Sequence, residues 1–369
     1  MFRELTAGTV ALATAVLLAG GVTNREAARS APGPTTRTTA ERVELSTAPT
    51  ARGQRAARTV RTDRPFSMLG LTWDGPAPDR LRVRERAAGS GWGEWHALEP
   101  LSPAHAPEGR DRVDQGRGAP DGASRVRWVG STSAVQVRAR RGGADVTERL
   151  RLIAIRPATK PTPGGPDARD GRGARPPVVT RAQWGADENL MRWPPQHAAT
   201  TRAAVIHHTV ETNDYTCAES ARVVRGLYHY HAVELGWGDI GYQVLIDKCG
   251  TVFEGRTGGL DGHVVGGHTK GFNAQTFGVA LLGNFQTARP SERALAAAGD
   301  IAGWKLGTVG RDPLGRTTLV SGGGKDNKYP QGTSMTLPRV FSHRDVSDTA
   351  CPGRNLYARL DDIRRHAAG

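Results

Sequence analysis

The sequence predicts an α/β domain, a mixed central β-sheet packed by helices, preceded by a smaller all-β domain. Three observations carry this. From residue 58 to 157, short period-2 segments (Leu81-Arg82-Val83-Arg84, Val126-Arg127-Trp128-Val129, Val135-Gln136-Val137-Arg138 and Leu150-Arg151-Leu152) are separated by Gly, Pro and Asp clusters. That is the pattern of half-buried strands in a sandwich or barrel. After residue 177, strand-like runs are mixed with helical stripes. Between the two lies a tract holding Pro161, Pro163, Gly164, Gly165, Pro166, Gly171 and Gly173. It reads as a linker over 158–176, across which few contacts are expected. A length of 369 residues suits two domains, and a hydrophobic fraction of 37% suffices for two ordinary cores.

Thr6 to Thr23 carry no charge and are rich in Ala, Leu and Val behind Arg3 and Glu4. Residues 1–28 therefore read as a signal peptide, with an uncleaved membrane anchor as the alternative, because the stretch barely reaches bilayer-spanning length. Export follows from both. Residues 29–57, dominated by Thr, Arg, Ala and Pro, read as a disordered linker too polar to bury a core. In the second half, Thr216 and Glu219 have capping-box spacing ahead of an apolar stripe of Val223, Val224, Leu227 and His231. Tyr242 to Ile246 and Thr251 to Phe253 flank a tight turn and predict a hairpin. Ser291 to Leu306 is Ala-rich and helical with Gly307 as its stop, and Leu356, Leu360 and Ile363 stripe a final helix.

The formal net charge of +14 favours polyanions. Charge alone does not choose among nucleic acid, anionic lipid and an anionic wall, and an Arg-, Ala- and Gly-rich composition is also what a GC-rich genome produces.

The chemistry concentrates near the carboxyl end. His343 and Cys351 stand eight positions apart in a stretch too punctuated by Gly and Pro to be one helix, and the apolar run Ala203-Ala204-Val205-Ile206 ends in His207-His208. Two imidazoles and a thiolate are ligands for Zn2+, and a set of three leaves a fourth position open, as catalytic zinc does. Adjacent strand residues point to opposite faces, so only one of His207 and His208 can join them.

Several segments appear together and in order: Val205 to Thr209, Gly236 to Tyr242, Glu254-Gly255-Arg256, Gly266-Gly267-His268-Thr269, Gly278 to Phe285, and His343 to Gly353. With these, residues 177–369 resemble the peptidoglycan recognition protein and type 2 N-acetylmuramoyl-L-alanine amidase family. The resemblance selects His207 as the ligand beside His343 and Cys351. It places Tyr242 facing the metal as a donor to the oxyanion formed when an amide carbonyl is attacked. It gives Thr349 a similar aim and sets His268 in the substrate groove; Arg344 and Asp345, next to His343, read as braces of its loop. Ser342 departs from the Gly usual in relatives. His229, His231 and His263 read as ordinary packed or solvated histidines.

Three cysteines leave one without an intramolecular partner in an exported chain. Cys217, at a helix start, and Cys249, in a turn, can pair around a loop of about 30 residues, worth about 3 to 4 kcal/mol in the chain-entropy model. Cys351 is then the free thiolate. A structural zinc holding all three cysteines would want the closely spaced pairs this chain lacks.

The resemblance thus implies a zinc amidase that cleaves peptidoglycan between N-acetylmuramoyl and L-alanine, and with the apolar amino-terminal segment the expectation is a secreted, wall-associated monomer. The alternative is a peptidoglycan-binding module without catalysis, and relatives of that kind typically lack the cysteine. Nucleic acid is not an expected partner. Anionic wall polymers are, through a strand face carrying Arg82, Arg84, Arg127 and Arg138.

Overall fold

The computed structural model describes residues 37–51, 54–87, 91–102, 120–159, 175–192 and 194–369. The expected signal segment and most of the 158–176 linker lie outside them. No helix among the described residues is long and apolar enough to cross a membrane.

The first domain is an antiparallel sheet built on two long strands, Gln54–Trp73 and Arg127–Arg141. Two of the short segments read from the sequence, around Val126 and Val135, belong to the second of these. Arg80–Ala87 pairs with one side of Arg127–Arg141, and Leu150–Arg156 pairs with Gln54–Trp73. One core lies against this sheet, with Leu69, Leu71, Leu81, Val83, Val135, Val137 and Leu152 buried.

Part of the tract expected to be a disordered linker is ordered. Thr39–Glu44 forms an edge strand antiparallel to Leu150–Arg156. It needs little apolar surface because its charges are matched across the ladder, Glu44 to Arg151 at 2.5 Å and Glu41 to Arg156 at 2.7 Å, while Arg42 reaches Glu234 at 2.6 Å.

The second domain holds a six-stranded mixed sheet in the order Val178–Val179, Val252–Glu254, Val244–Ile246, Thr276–Leu282, Ala203–Thr209, Val340–Ser342. The hairpin is there as Val244–Ile246 against Val252–Glu254, and the other pairs in this sheet are parallel. Helix Ser220–His229 follows the capping box of Thr216 and Glu219, and helix Glu292–Gly307 is capped by Ser291. Leu360–Ala368 closes the chain.

The expectation of few contacts between the halves does not hold. Met68, Val126, Trp128, Ile153 and Ile155 of the first domain share one apolar cluster with Trp184, Val223, Leu227 and Tyr230 of the second. Helix Ser220–His229 explains this: Val223 through His229 are all buried, so it is covered on more than the one stripe that packs on its own sheet. Two glycines permit the approach. A Cβ on Gly70 would lie 2.6 Å from the Tyr230 ring, and one on Gly226 would lie 2.8 Å from the Met68 sulfur. The Tyr230 hydroxyl donates to the Ser124 carbonyl at 3.0 Å, and Arg222 to the Ser67 hydroxyl at 3.0 Å. Arg127, expected on a solvent-facing strand face, is buried here, donating to the Glu211 carbonyl at 2.8 Å.

Cys217 and Cys249 form a disulfide that closes a separation of 32 residues, and Cys351 is a buried free thiol. Alkylation of the denatured, metal-free, unreduced chain is therefore expected to label Cys351 alone. Peptide mapping that finds label on Cys217 or Cys249 would refute the pairing.

Candidate metal centre

His207 lies near the carboxyl end of the buried central strand Ala203–Thr209, and His343 follows directly on its parallel neighbour Val340–Ser342. The strand ends place both imidazoles side by side, ring centroids 4.8 Å apart, at the edge where parallel sheets present their sites. A loop then returns Cys351 to the same point, its Sγ 3.6 Å from His207 Nδ1. The potential ligand atoms of His207, His343 and Cys351 lie within 4.8 Å of one another, and all three residues are fully buried. Ligands held at 2.0 to 2.3 Å around a tetrahedral ion sit about 3.5 Å apart, so this nitrogen, nitrogen, sulfur set fits zinc.

The surroundings orient these groups. His207 Nε2 lies 3.0 Å from His268 Nδ1 and 3.3 Å from the Thr269 hydroxyl. An Nε2–H spent in that direction leaves the Nδ1 lone pair toward Cys351, which is how ligating histidines are usually fixed. Asn273 Oδ1 in turn accepts from the backbone amides of His268 and Thr269, both at 2.8 Å. His268 is fully buried, its ring centroid 4.9 Å from that of His207. Burial pushes it down to about 3, so it is neutral, and burial also holds His343 well below the usual histidine range. Neutral imidazole is the ligating form.

His208 faces the other way, its Nδ1 accepting from the Phe285 amide at 3.4 Å. Its own amide donates to Cys351 Sγ at 3.4 Å. Ser342, the departure from Gly, caps the short helix His343–Val346 in a capping box with Asp345, whose carboxylate accepts from Ser342 N at 2.8 Å. The three-residue spacing of Ser342 and Asp345 is the sequence signal for this cap. Arg344 holds the returning loop through the carbonyls of Ala350 and Cys351.

Tyr242 is buried with its ring 5.2 Å from that of His207. Burial raises its phenol above the usual tyrosine range, and Arg125 opposes this, so at neutral pH it is a hydrogen-bond donor. Thr349 is half-buried, and its hydroxyl accepts from the Cys351 amide at 3.2 Å.

Arg125, which no motif in the sequence marks, comes from the first domain. It is buried, donates to the His208 carbonyl at 2.8 Å and lies 3.5 Å from carboxylate oxygens of both Glu99 and Glu211. Burial pushes the Cys351 thiol up, and the positive charge of Arg125 only partly opposes this.

Similarity to known proteins follows the same division. A galactose-binding domain-like N-terminal family matches residues 26–169, and the N-acetylmuramoyl-L-alanine amidase family matches residues 197–354. Peptidoglycan-recognition protein SC2 of Drosophila simulans is 29% identical over 180 residues, covering 49% of this chain and 82% of that protein. The peptidoglycan recognition protein of Trichoplusia ni is 30% identical over 192 residues, covering 51% and 86%. Human N-acetylmuramoyl-L-alanine amidase is 37% identical over 189 residues, which are 49% of this chain and 27% of that protein. With His207 and His343 at the ends of adjacent strands, Cys351 returned beside them by a loop, and this likeness over most of the length of two recognition proteins, the chain belongs to the peptidoglycan recognition protein and N-acetylmuramoyl-L-alanine amidase family.

Proposed function

We propose that this chain is an exported zinc-dependent amidase that hydrolyses the bond between the lactyl group of N-acetylmuramic acid and L-alanine in peptidoglycan. The observation that supports this reading is the convergence of Cys351 with His207 and His343 on one point. A module that only recognises peptidoglycan has no need of a buried thiol there.

His207 through Nδ1, His343 and the Cys351 sulfur would hold the ion. When bound, zinc supplies a Lewis acid that polarises the scissile carbonyl and brings the pKa of a water down to about 7. His268 and Thr269 keep the His207 ring in its ligating tautomer and orientation, and the His208 amide orients the sulfur. Tyr242, protonated and beside His207, donates to the oxygen that gains negative charge as the carbonyl becomes tetrahedral. Thr349 accepts one hydrogen bond and keeps its own hydrogen for the same oxygen.

The test is incubation of purified peptidoglycan with the full chain, with and without a chelator, followed by mass spectrometry of the released ends. Stem peptides with a free L-alanine amine, lost with chelator and restored by zinc, are expected. Saturable binding of muropeptides with no new ends at saturating zinc would replace this reading by recognition without cleavage. Tyr242→Phe is expected to keep its zinc and lower kcat by roughly 10² to 10³, the scale of one missing oxyanion donor. Loss of zinc from that variant would make Tyr242 structural.

A further inference from the structure

Strands Arg80–Ala87 and Arg127–Arg141 run antiparallel, and their register sets Arg80 directly opposite Arg140 and Arg82 directly opposite Arg138. Alternation along the first strand buries Leu81 and Val83 in the core and turns Arg80, Arg82 and Arg84 to the other face. Like charges facing each other across a ladder are destabilising, and this sheet stacks two such pairs in succession. Arg80, Arg82 and Arg140 are exposed, and none of them makes an ion pair with an acidic side chain among the described residues. One acid, Asp79, lines the same groove, and its carboxylate accepts from the Gly142 amide.

The face is shaped as well as charged. Trp95 lies between the guanidiniums of Arg84 and Arg138, at 4.8 and 4.7 Å from its ring centre, and Arg84 Nε donates to Gln136 Oε1 at 2.7 Å. Arg138, held against Trp95, lines a groove of about 440 Å³ together with Arg80, Arg82 and Arg140. Successive arginines on one strand face are about 6.7 Å apart and facing ones about 5 Å, so the array is a double row of cations along the strand direction. Guanidinium forks suit phosphate oxygens, and an extended chain with one phosphate per short polyol unit repeats on a similar scale.

We propose that this face binds a phosphodiester-linked polymer of the cell wall, whose regularly spaced monoanions neutralise the facing arginine pairs. Nucleic acid fits less well. A single strand is gripped by several aromatic faces open for base stacking, and here the Trp95 ring is occupied by two arginines. The proposal rests on the amidase reading only for where the polymer is met; the binding is tested without hydrolysis. A domain that grips the wall would raise the local concentration of substrate for the other.

Full-length protein is titrated with poly(glycerol phosphate) at a series of sodium chloride concentrations. Arg82→Gln/Arg140→Gln is compared with a charge-matched control, Arg289→Gln/Arg293→Gln, exposed in the other domain. Surface substitutions of this kind leave folding intact, checked by the melting temperature. Wild type and control are expected to bind alike, with the Arg82/Arg140 variant weaker by roughly tenfold or more. Its slope of log K against log salt is expected to be shallower by about 0.7 to 0.9 for each phosphate that the variant no longer neutralises. Equal weakening of variant and control would reduce the effect to net charge and overturn the site, as would unchanged binding by the variant. Tighter binding of a single-stranded DNA oligonucleotide, or of polygalacturonate, would overturn the assignment to phosphodiester polymers.

Discussion

Replacing Cys351 with alanine is expected to abolish peptidoglycan hydrolysis and strip the protein of zinc while leaving it folded. In the proposed site the sulfur is one of three protein ligands, and the only one that would bring a negative charge to the dication. Without it the carbonyl is not polarised and water keeps its high pKa. Lewis-acid stabilisation is worth several kcal/mol, and each 1.4 kcal/mol is a factor of about ten, so a loss exceeding roughly 10³ in kcat is expected. The fold should survive. The substitution removes one buried sulfur and leaves the His208 amide without its acceptor, a cost of about 1 to 3 kcal/mol against a typical stability of about 5 to 15. His208→Ala provides the contrast, because His208 turns its ring to Phe285 and serves Cys351 only through its backbone; that variant is expected to retain zinc. Metal content by atomic emission, read beside a circular dichroism melt, separates the outcomes. A Cys351→Ala protein that keeps zinc and full activity would remove the thiol from the site.

Much of this centre is written in local sequence. An apolar run ending in histidine announces a buried strand with an imidazole at its end, and the spacing of His343 and Cys351 announces a loop return. The capping box at Thr216 and the turn before Thr251 are local as well, so the helix and the hairpin are legible. What lies beyond reach depends on packing between distant segments. The burial of His268 is one such case: Gly266 and Gly278 leave room for its ring, since a Cβ at either position would come within 2.5 Å of it. Arg125 sits in Ser124-Arg125-Val126-Arg127-Trp128, a segment in which every residue is buried. Period-2 reasoning assigns alternate residues to solvent, and it fails there because the second domain covers the face that an isolated sheet would expose. The edge strand Thr39–Glu44 is hidden for a related reason, since ladder bonds and matched charges hold it without an apolar face.

The same covered face leads to the second large effect, which concerns the two halves. Residues 175–369 produced alone are expected to be poorly soluble and to melt far below the full chain, even though they carry every proposed ligand. Removing the first domain uncovers the Tyr230 side of helix Ser220–His229 by taking away Met68, Val126, Trp128, Ile153 and Ile155. The side chains those residues cover, Trp184, Val223, Leu227 and Tyr230 among them, then face water; at about 1.5 to 3 kcal/mol for each such side chain the loss is on the order of 5 to 10 kcal/mol, comparable with the stability of a whole domain. At about 2 to 4 °C per kcal/mol the melting temperature should fall by more than about 10 °C. The centre suffers too. Arg125 leaves its place beside Cys351, and Glu211, which burial pushes up to about 8 against the pull of Arg125, loses that partner. A full-length variant keeps the test from resting on truncation: Gly70→Leu drives a side chain into the Tyr230 ring, where even a Cβ would lie 2.6 Å away, and should lower the melting temperature with the rest of the chain present. Co-expressing residues 37–159 with the second half should restore solubility if the shared cluster is what truncation removes. A lone second half that melts within a few degrees of the full chain and holds zinc would show that the cluster contributes little and that the domains are independent, and Gly70→Leu would then be expected to have no effect on zinc content or hydrolysis.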